Sequence, residues 1–308
     1  MKVQLKVQLF IVDPQKDFCV ADDGHGNKGT LVVPGAEQDM SRVATMLRRI
    51  GTRVDDVHVT LDSHQTVGIE RPRWWKRLSD GAPPDPFTCL GIHPDGKRIV
   101  KFIPAPAGSS VPANMFGMIP TEEEYTTYIP SYLHKGGPTG KGSFGYLQAL
   151  AAKGRYPHIV WTLHCRVGSW GHGVVDDLYG ELCRWENDNF AKVDYVVKGN
   201  NPFTEHFSGV KAEVEDPNDP GTRLNKRLIQ ALEDADVIAV TGEALSHCVA
   251  NTFRDVADGF SDQKYISKLV LLTDACSNVG GFDFLGDAFI RDMTAKGMRI
   301  DTTTSFLA

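Results

Sequence analysis

The chain has 308 residues, of which 41% are apolar and 23% are charged, and its formal net charge is −6. This composition is typical of a folded globular protein, and the acidic balance argues against nucleic acid as a partner. No run of the sequence approaches the roughly 20 apolar residues of a membrane-spanning helix, which argues against a membrane protein.

The predicted elements alternate between strands and helices along most of the chain. Apolar and β-branched runs predict strands at 9–12, 56–61, 159–163, 193–197, 237–240, 269–272 and 299–304. Helical spacing predicts helices at 37–50, 224–234 and 285–296 and another that begins near Cys248. This alternation indicates a three-layer, doubly wound α/β fold with a mainly parallel sheet of Rossmann-like topology.

Residues 71–157 interrupt this pattern with many prolines and glycines. A turn sequence at His93-Pro94-Asp95-Gly96-Lys97 predicts a hairpin between 87–92 and 98–103. Structureless stretches of this length are uncommon inside compact domains and are often functional. We therefore expect a single domain over residues 1–308 that carries a long insertion or lid at about 71–157.

The six cysteines are dispersed and show no C-x-x-C spacing, which disfavours a zinc ribbon or a disulfide scaffold. The first twelve residues suit a strand better than a secretory leader. A reducing, cytoplasmic location follows as the expectation.

Cys248 follows a buried strand and precedes a helical pattern that includes Val249, Phe253 and Val256. The first turn of a helix favours a thiolate, which attacks carbonyl carbon, and its free N–H groups can hold an oxyanion. The alternative is a buried and inert cysteine.

Several residues that can carry chemistry come directly after predicted strands. In parallel sheets the ligand lies outside the carboxyl ends of the strands, so these residues are expected to meet at one edge. An acid beside a thiol can move its proton, although an aspartate before proline is also a common turn residue. The residues are Asp13, Asp62, His164, Lys198 and Cys248.

Asp62 and His64 lie two residues apart, so on an extended segment their side chains point the same way. His164 can add a nitrogen ligand and Glu70 an oxygen ligand. Such a set, without thiolate, suits zinc, iron or manganese. Hydrogen bonding at a strand end is the competing interpretation.

Taken together, these residues resemble the nicotinamidase and isochorismatase-like cysteine hydrolase superfamily. The likeness covers the first strand, residues 60–70 and nearly all of 159–308. It rests on Val12-Asp13-Pro14-Gln15-Lys16-Asp17-Phe18, Leu61-Asp62-Ser63-His64, Leu163-His164-Cys165, Val197-Lys198-Gly199 and Gly242-Glu243-Ala244-Leu245-Ser246-His247-Cys248.

By this resemblance Cys248 is the nucleophile of a triad in which Asp13 accepts its proton and Lys198 supplies positive charge. Attack on an amide would give a thioester, which water hydrolyses. The backbone N–H groups of Ala244 and Cys248 would form the oxyanion hole, with a cis peptide bond between Glu243 and Ala244.

The resemblance also makes Asp62, His64 and His164 metal ligands, and Glu70 stands where some nicotinamidases carry a further histidine. Zinc is the leading candidate, with iron or manganese as alternatives. Phe18 and Trp161 match the aromatic residues that sandwich the substrate ring. Assembly into a homo-oligomer is common in the superfamily and is expected here.

The predicted function is therefore that of a metal-containing cysteine amidohydrolase acting on a small amide, with nicotinamide as the leading substrate. One alternative is a hydrolase of a ureido, carbamoyl or aliphatic amide, because Gly168-Ser169-Trp170-Gly171-His172 departs from the family pattern. Another is a non-catalytic binding or scaffold protein with the same fold.

Overall fold

The computed structural model describes residues 5–110, 116–128 and 137–308. Its strands are β1 (Val7–Val12), β2 (Asp56–Asp62), β3 (Trp75–Arg77), β4 (Cys89–Ile92), β5 (Ile99–Pro104), β6 (Met118–Thr127), β7 (His158–Ile159), β8 (Asp194–Lys198), β9 (Val237–Gly242), β10 (Leu269–Leu272) and β11 (Arg299–Asp301). Its helices are α1 (Lys16–Cys19), α2 (Ala36–Ile50), α3 (Gly142–Lys153), α4 (Asp176–Asn189), α5 (Lys226–Glu233), α6 (Ala250–Gly259) and α7 (Asp283–Ala295).

The central sheet has six strands in the order β11-β10-β9-β1-β2-β8, and all neighbours are parallel. Counted only among these six strands along the chain, the order is 6-5-4-1-2-3, which is the doubly wound order. The direction of winding reverses between β1 and β9, and ligands of such sheets bind beyond the carboxyl ends of the strands at that point. The predicted three-layer, mainly parallel α/β fold is confirmed.

Side chains of β1 alternate between the two faces of this sheet. Leu9 and Ile11 pack in one core with residues of α2 and α4, whereas Phe10 and Val12 pack in a second core with residues of α5, α6 and α7. All four side chains are buried, because a central parallel strand is covered on both faces. The helices therefore form the two outer layers.

Residues between 71 and 157 contribute most of a second, antiparallel sheet with the order β3-β6-β5-β4-β7. The predicted hairpin is present, with Cys89 opposite Phe102 and Ile92 opposite Ile99. Trp74, Trp75 and Tyr146 form a separate apolar core beneath this sheet. The segment thus has a packed core of its own.

One predicted strand was wrong, and one helix was missed. The strand expected at 159–163 is only His158–Ile159, and it pairs antiparallel with β4 in the second sheet. The apolar run was long enough for a core strand, but its partner belongs to the insertion. The sequence pattern also did not reveal α4, whose buried residues Leu178, Leu182 and Trp185 cover one sheet face.

The insertion is hydrogen-bonded to the segment around Cys248. The Tyr156 hydroxyl donates to the Ser246 carbonyl oxygen at 2.7 Å. Arg155 donates to Asp255 and to the Asn251 side chain, each at 2.6 Å, and both acceptors lie on α6. These contacts join the second sheet to the helix that follows the cysteine.

Gly242 ends β9 with a φ of 119°, in the left-handed region that favours glycine. A Cβ at this position would lie 2.1 Å from the carbonyl oxygen of Val12. The close approach of the two strand ends therefore requires glycine here. Among the residues that the structure describes, no helix is long and apolar enough to cross a membrane.

Candidate active site

Asp13 lies directly after β1 and is fully buried. Its φ of 44° is unusual for a residue other than glycine, and such conformations cluster at functional sites. Thr60 on the neighbouring strand holds it. The Asp13 N–H donates to Thr60 Oγ1 at 3.0 Å, and this hydroxyl donates to Asp13 Oδ1 at 2.5 Å. The carboxylate is thereby fixed at the carboxyl end of β1.

Gln15 connects the loop after β1 to the end of β2. Its side-chain oxygen accepts from the Asp62 N–H at 2.7 Å, and its Nε2 donates to the Asp62 carbonyl oxygen at 2.8 Å. The amide of Gln15 therefore matches both backbone groups of Asp62 and sets the position of that residue relative to Asp13. The sequence motif contained Gln15 but did not indicate this role.

Lys198 is the last residue of β8, and its Nζ lies between two carboxylates. It is 3.0 Å from Asp13 Oδ2 and 2.9 Å from Asp62 Oδ1, and it donates to the His206 carbonyl oxygen at 3.0 Å. Burial opposes the charge on Lys198, but Asp13 and Asp62 outweigh burial and hold its pKa well above the ordinary range. The group is therefore a buried ammonium.

Cys248 lies in a wide helical turn, Leu245–Val249, that leads directly into α6. Its Sγ is 3.6 Å from Lys198 Nζ. Burial raises the pKa of the thiol well above its usual value, and the opposing effect of Lys198 is smaller. The expected thiolate is therefore not the resting form, because burial outweighs the favourable charge. A base must take the proton when the thiol reacts.

Asp13 is the nearest candidate for that base. Burial raises its pKa, and the ammonium of Lys198 opposes this shift. Asp62 differs, because although burial raises its pKa, His64 and Lys198 hold the value well below the ordinary range. The site thus combines a carboxylate able to accept a proton with one that remains charged.

The loop between β9 and the turn of Cys248 contains the expected cis peptide bond between Glu243 and Ala244. Leu245 N–H donates to the Ser277 carbonyl oxygen at 2.7 Å, and Val249 N–H donates to the Ala244 carbonyl oxygen at 3.1 Å. Ala244 and Cys248 consequently line the same pocket. The N–H groups of these two residues remain the predicted oxyanion hole.

Asp62, His64 and His164 bring three donor atoms together, all within 4.8 Å of one another and all buried. Nε2 of His64 is 2.9 Å and Nε2 of His164 is 3.1 Å from Asp62 Oδ2. His164 reaches the cluster because the segment after it runs beside β2, where His64 N–H donates to the Cys165 carbonyl oxygen at 3.0 Å. One carboxylate and two imidazoles fit a divalent cation such as zinc.

On each imidazole the nitrogen that points away from Asp62, Nδ1, lies near an acceptor, and Nδ1 of His164 also lies 3.2 Å from Nη1 of Arg71. Nδ1 of His164 is 3.0 Å from the Thr162 carbonyl oxygen, and Nδ1 of His64 is 3.2 Å from Glu70 Oε1. Such acceptors favour a proton on Nδ1, which leaves the lone pair of Nε2 for a cation. Burial opposes protonation of His64, but Asp62 and Glu70 raise its pKa to about 9, so a cation competes with a proton there.

Glu70 lies outside this cluster of three donors. Its Oε1 contacts the outer nitrogen of His64 and also Arg71 Nε, at 2.9 Å. Arg71 in turn donates to the His164 carbonyl oxygen at 2.9 Å and is completely buried. Glu70 was predicted to be a metal ligand. This geometry instead favours Glu70 as a residue that orients His64. The sequence did not indicate Arg71.

A pocket opens beside Cys248, and both predicted aromatic residues line it. Phe18 packs against His164 with ring centroids 5.4 Å apart, and Trp161 lies edge-to-face against His247 at the same separation. Further lining residues that the sequence pattern did not single out are Leu31, Val33, Glu205, His206, Phe207, His247 and Val279. Most belong to loops, where no periodicity marks a pocket-facing side chain.

No protein-family model matches the chain, and no curated protein matches it. Solved structures do. The yeast nicotinamidase Pnc1p is 17% identical with a TM-score of 0.56, covering 96% of this chain and 98% of its own. A nicotinamidase/pyrazinamidase from Acinetobacter baumanii is 16% identical with a TM-score of 0.55, covering 99% and 100% of the two chains.

PnC1 from L. infantum, in complex with nicotinate, is 16% identical with a TM-score of 0.52, covering 98% of this chain and 96% of its own. The similarity to all three extends over nearly the entire length of both chains. The chain therefore has the fold of the nicotinamidases, the isochorismatase-like architecture to which its motifs pointed.

Proposed function

We propose that the protein is a cysteine amidohydrolase that cleaves a small carboxamide to a carboxylate and ammonia. The observation that carries this proposal is the position of Lys198 Nζ, within 3.6 Å of Cys248 Sγ and within 3.0 Å of both Asp13 and Asp62. A buried ammonium between two carboxylates is costly to maintain, and beside the partly exposed thiol of Cys248 it is suited to covalent catalysis.

In the first step the Cys248 thiol gives its proton to the Asp13 carboxylate while Sγ attacks the amide carbon. The carbonyl oxygen becomes an oxyanion that the N–H groups of Ala244 and Cys248 stabilise. The carbon–nitrogen bond then breaks, and Asp13 returns the proton to the leaving nitrogen, so that ammonia departs. Lys198 offsets the negative charge that develops on Sγ as its proton leaves, and it contacts the Asp13 carboxylate again once that group has given up the proton.

The thioester left on Cys248 is hydrolysed by water. Asp13 accepts a proton from the water as its oxygen attacks the thioester carbon, and the carbon–sulfur bond breaks to release the carboxylic acid. The proton then returns to Sγ, which restores the thiol. Each step uses only Asp13, Lys198, Cys248 and water, so atoms and charges balance over the cycle.

Asp62, His64 and His164 would hold a divalent cation, with zinc the leading candidate and iron or manganese the alternatives. Bound there, a cation supplies a Lewis-acidic contact for a lone pair of the substrate. Glu70 and the Thr162 carbonyl hold the outer nitrogens of the imidazoles, so both rings are oriented before any ligand arrives.

Nicotinamide is the leading substrate candidate. Phe18 and Trp161 provide aromatic surfaces in the pocket of Cys248, which suit a flat heteroaromatic ring. The yeast enzyme with the same fold binds nicotinaldehyde, and the L. infantum protein binds nicotinate. Both ligands contain a pyridine ring with a one-carbon group of the kind that Cys248 would attack.

Ammonia release from a panel of small amides tests this proposal. We expect release from nicotinamide by the native protein and none by Cys248→Ala, with unchanged melting temperatures. Cys183→Ala is the matched control. Cys183 is partly exposed and lies on α4 outside the pocket, so this variant should keep full activity. Release only from ureido, carbamoyl or aliphatic amides would reassign the substrate. Silence across the panel would favour a non-catalytic binding protein.

Metal content is tested separately. Elemental analysis of the native protein and of Asp62→Ala should show a divalent cation in the first and a large loss in the second. Equal metal content in the two proteins would contradict the ligand set.

The proposal also includes the predicted cytoplasmic location and homo-oligomeric state. Cell fractionation tests the location, and analytical ultracentrifugation tests the oligomeric state.

A further inference from the structure

Glu205 is a buried carboxylate in the pocket of Cys248 that has no part in the proposed reaction. Its side chain lines the pocket together with Asp62, His164 and Lys198, and the residue is 4% exposed. Oε1 accepts from the N–H of His206 at 2.9 Å. Oε2 has no hydrogen-bond partner among the residues that the structure describes.

The backbone on both sides of this carboxylate is fixed. The Glu205 carbonyl oxygen accepts from the Glu213 N–H at 2.8 Å, and the next residue, His206, accepts from Lys198 Nζ at 3.0 Å. The backbone that carries Glu205 is therefore held in place next to the carbonyl that Lys198 contacts. No motif or periodic pattern in the sequence of this loop marks Glu205, so its place in the pocket is seen only in the folded structure.

Within the described part of the chain, Glu205 forms no ion pair. Burial and the nearby Glu70 together raise its pKa to about 7, against the opposing effect of His64. Glu205 is also outside the group of donors formed by Asp62, His64 and His164. A hydrogen-bond donor at Oε2 would favour the charged form and relieve the cost of burial.

We propose that Glu205 is a specificity-determining residue that accepts a hydrogen bond from an N–H or O–H group on the substrate. This inference rests on the proposed amidohydrolase function and narrows its substrate class. The preferred substrate is then an aromatic carboxamide that carries a donor besides its amide group, such as an amino-substituted pyridine carboxamide. A buried acceptor that a ligand leaves unpaired discriminates strongly against that ligand.

Calorimetric binding to Cys248→Ala tests the inference without requiring turnover. The probes are nicotinamide and its 2-amino, 5-amino and 6-amino derivatives, each bound to the metal-loaded protein. We expect at least one derivative to bind tenfold or more tightly than nicotinamide. In Cys248→Ala/Glu205→Leu this advantage should fall below threefold, and in Cys248→Ala/Glu205→Gln, which retains an acceptor oxygen, it should be intermediate.

Glu213→Gln in the same background is the matched control. Glu213 is also a buried glutamate whose carboxylate oxygens lack hydrogen-bond partners among the described residues, but it does not line the pocket. It should leave the tenfold preference intact. Melting temperatures and metal content of every variant show whether the fold and the cation site persist.

A preference that survives in the Glu205→Leu variant overturns the inference, as does the lack of any preference or of any binding. Failure of the proposed function gives a different pattern. Selective, Glu205-dependent binding without ammonia release by the native protein would refute the hydrolase and leave the role of Glu205 in recognition standing. Ammonia release by the native protein without any preference among the probes would support the hydrolase and refute the role of Glu205 in recognition.

Discussion

Replacing Lys198 with methionine removes the one ammonium that contacts both Asp13 and Asp62, while keeping a long, flexible side chain. Two carboxylates, each at most 3% exposed, then lose a shared cation. Breaking a buried ion pair from one side costs about 3–5 kcal/mol. With an unfolding entropy of about 2.1 cal/mol/K per residue, a chain of this length should melt about 5–8 °C lower.

The second variant in this experiment is Lys198→Met/Asp13→Asn, in which the carboxylate left without its cation is also removed. It should recover at least half of the lost melting temperature, because Asp62 still contacts the two histidines. Scanning calorimetry measures the transitions, and ammonia release should be absent in both variants. Equal melting of native and Lys198→Met proteins, or no recovery in the double variant, would refute the assignment of Lys198 as the shared counter-ion.

Three further predictions concern the metal, the thiol and the backbone. Glu70→Gln should weaken zinc binding 10–100-fold in a chelator competition, because Glu70 holds the outer nitrogen of His64; unchanged affinity would contradict this role. Alkylation of Cys248 by iodoacetamide, followed by peptide mass spectrometry, should be slow at pH 7 and rise above pH 9, because burial raises the thiol pKa. Asp13→Asn should slow alkylation at pH 7, because Asp13 is the proposed acceptor of the thiol proton; faster alkylation in this variant would contradict that role. Gly242→Ala should give insoluble protein or a large drop in melting temperature, and native-like melting would show that the strand ends can separate.

The parallel sheet was predictable because its strands are short apolar runs with helical patterns between them. Asp13, Asp62 and Lys198 were found at the strand ends because a parallel sheet brings its carboxyl ends to one edge. His164 was also expected at this edge, because it follows a run that was predicted to be another strand of the parallel sheet. It arrives on an irregular segment beside β2, and not at the end of a parallel strand.

Other parts of the site have no signal in the sequence. The shift of the Cys248 pKa depends on how completely the chain covers the thiol, and a list of neighbouring charges does not give that coverage. Glu205 and Phe207 come from a loop without periodicity, so their direction is set by distant contacts. The antiparallel sheet was missed as a sheet because β3 and β4 are short and nearly all of β6 is partly exposed, which weakens the hydrophobic pattern.

The hydroxyl of Tyr156 and the guanidinium of Arg155 hold the turn of the nucleophile from the side of the insertion. A shortened chain that joined residue 70 directly to residue 158 would therefore disturb the surroundings of Cys248. It would remove the hydrogen bonds of Tyr156 and Arg155 that help to hold Cys248 beside Lys198. Attempts to make a minimal version of this protein should retain the segment, or transplant these two anchoring contacts, before the pocket is redesigned.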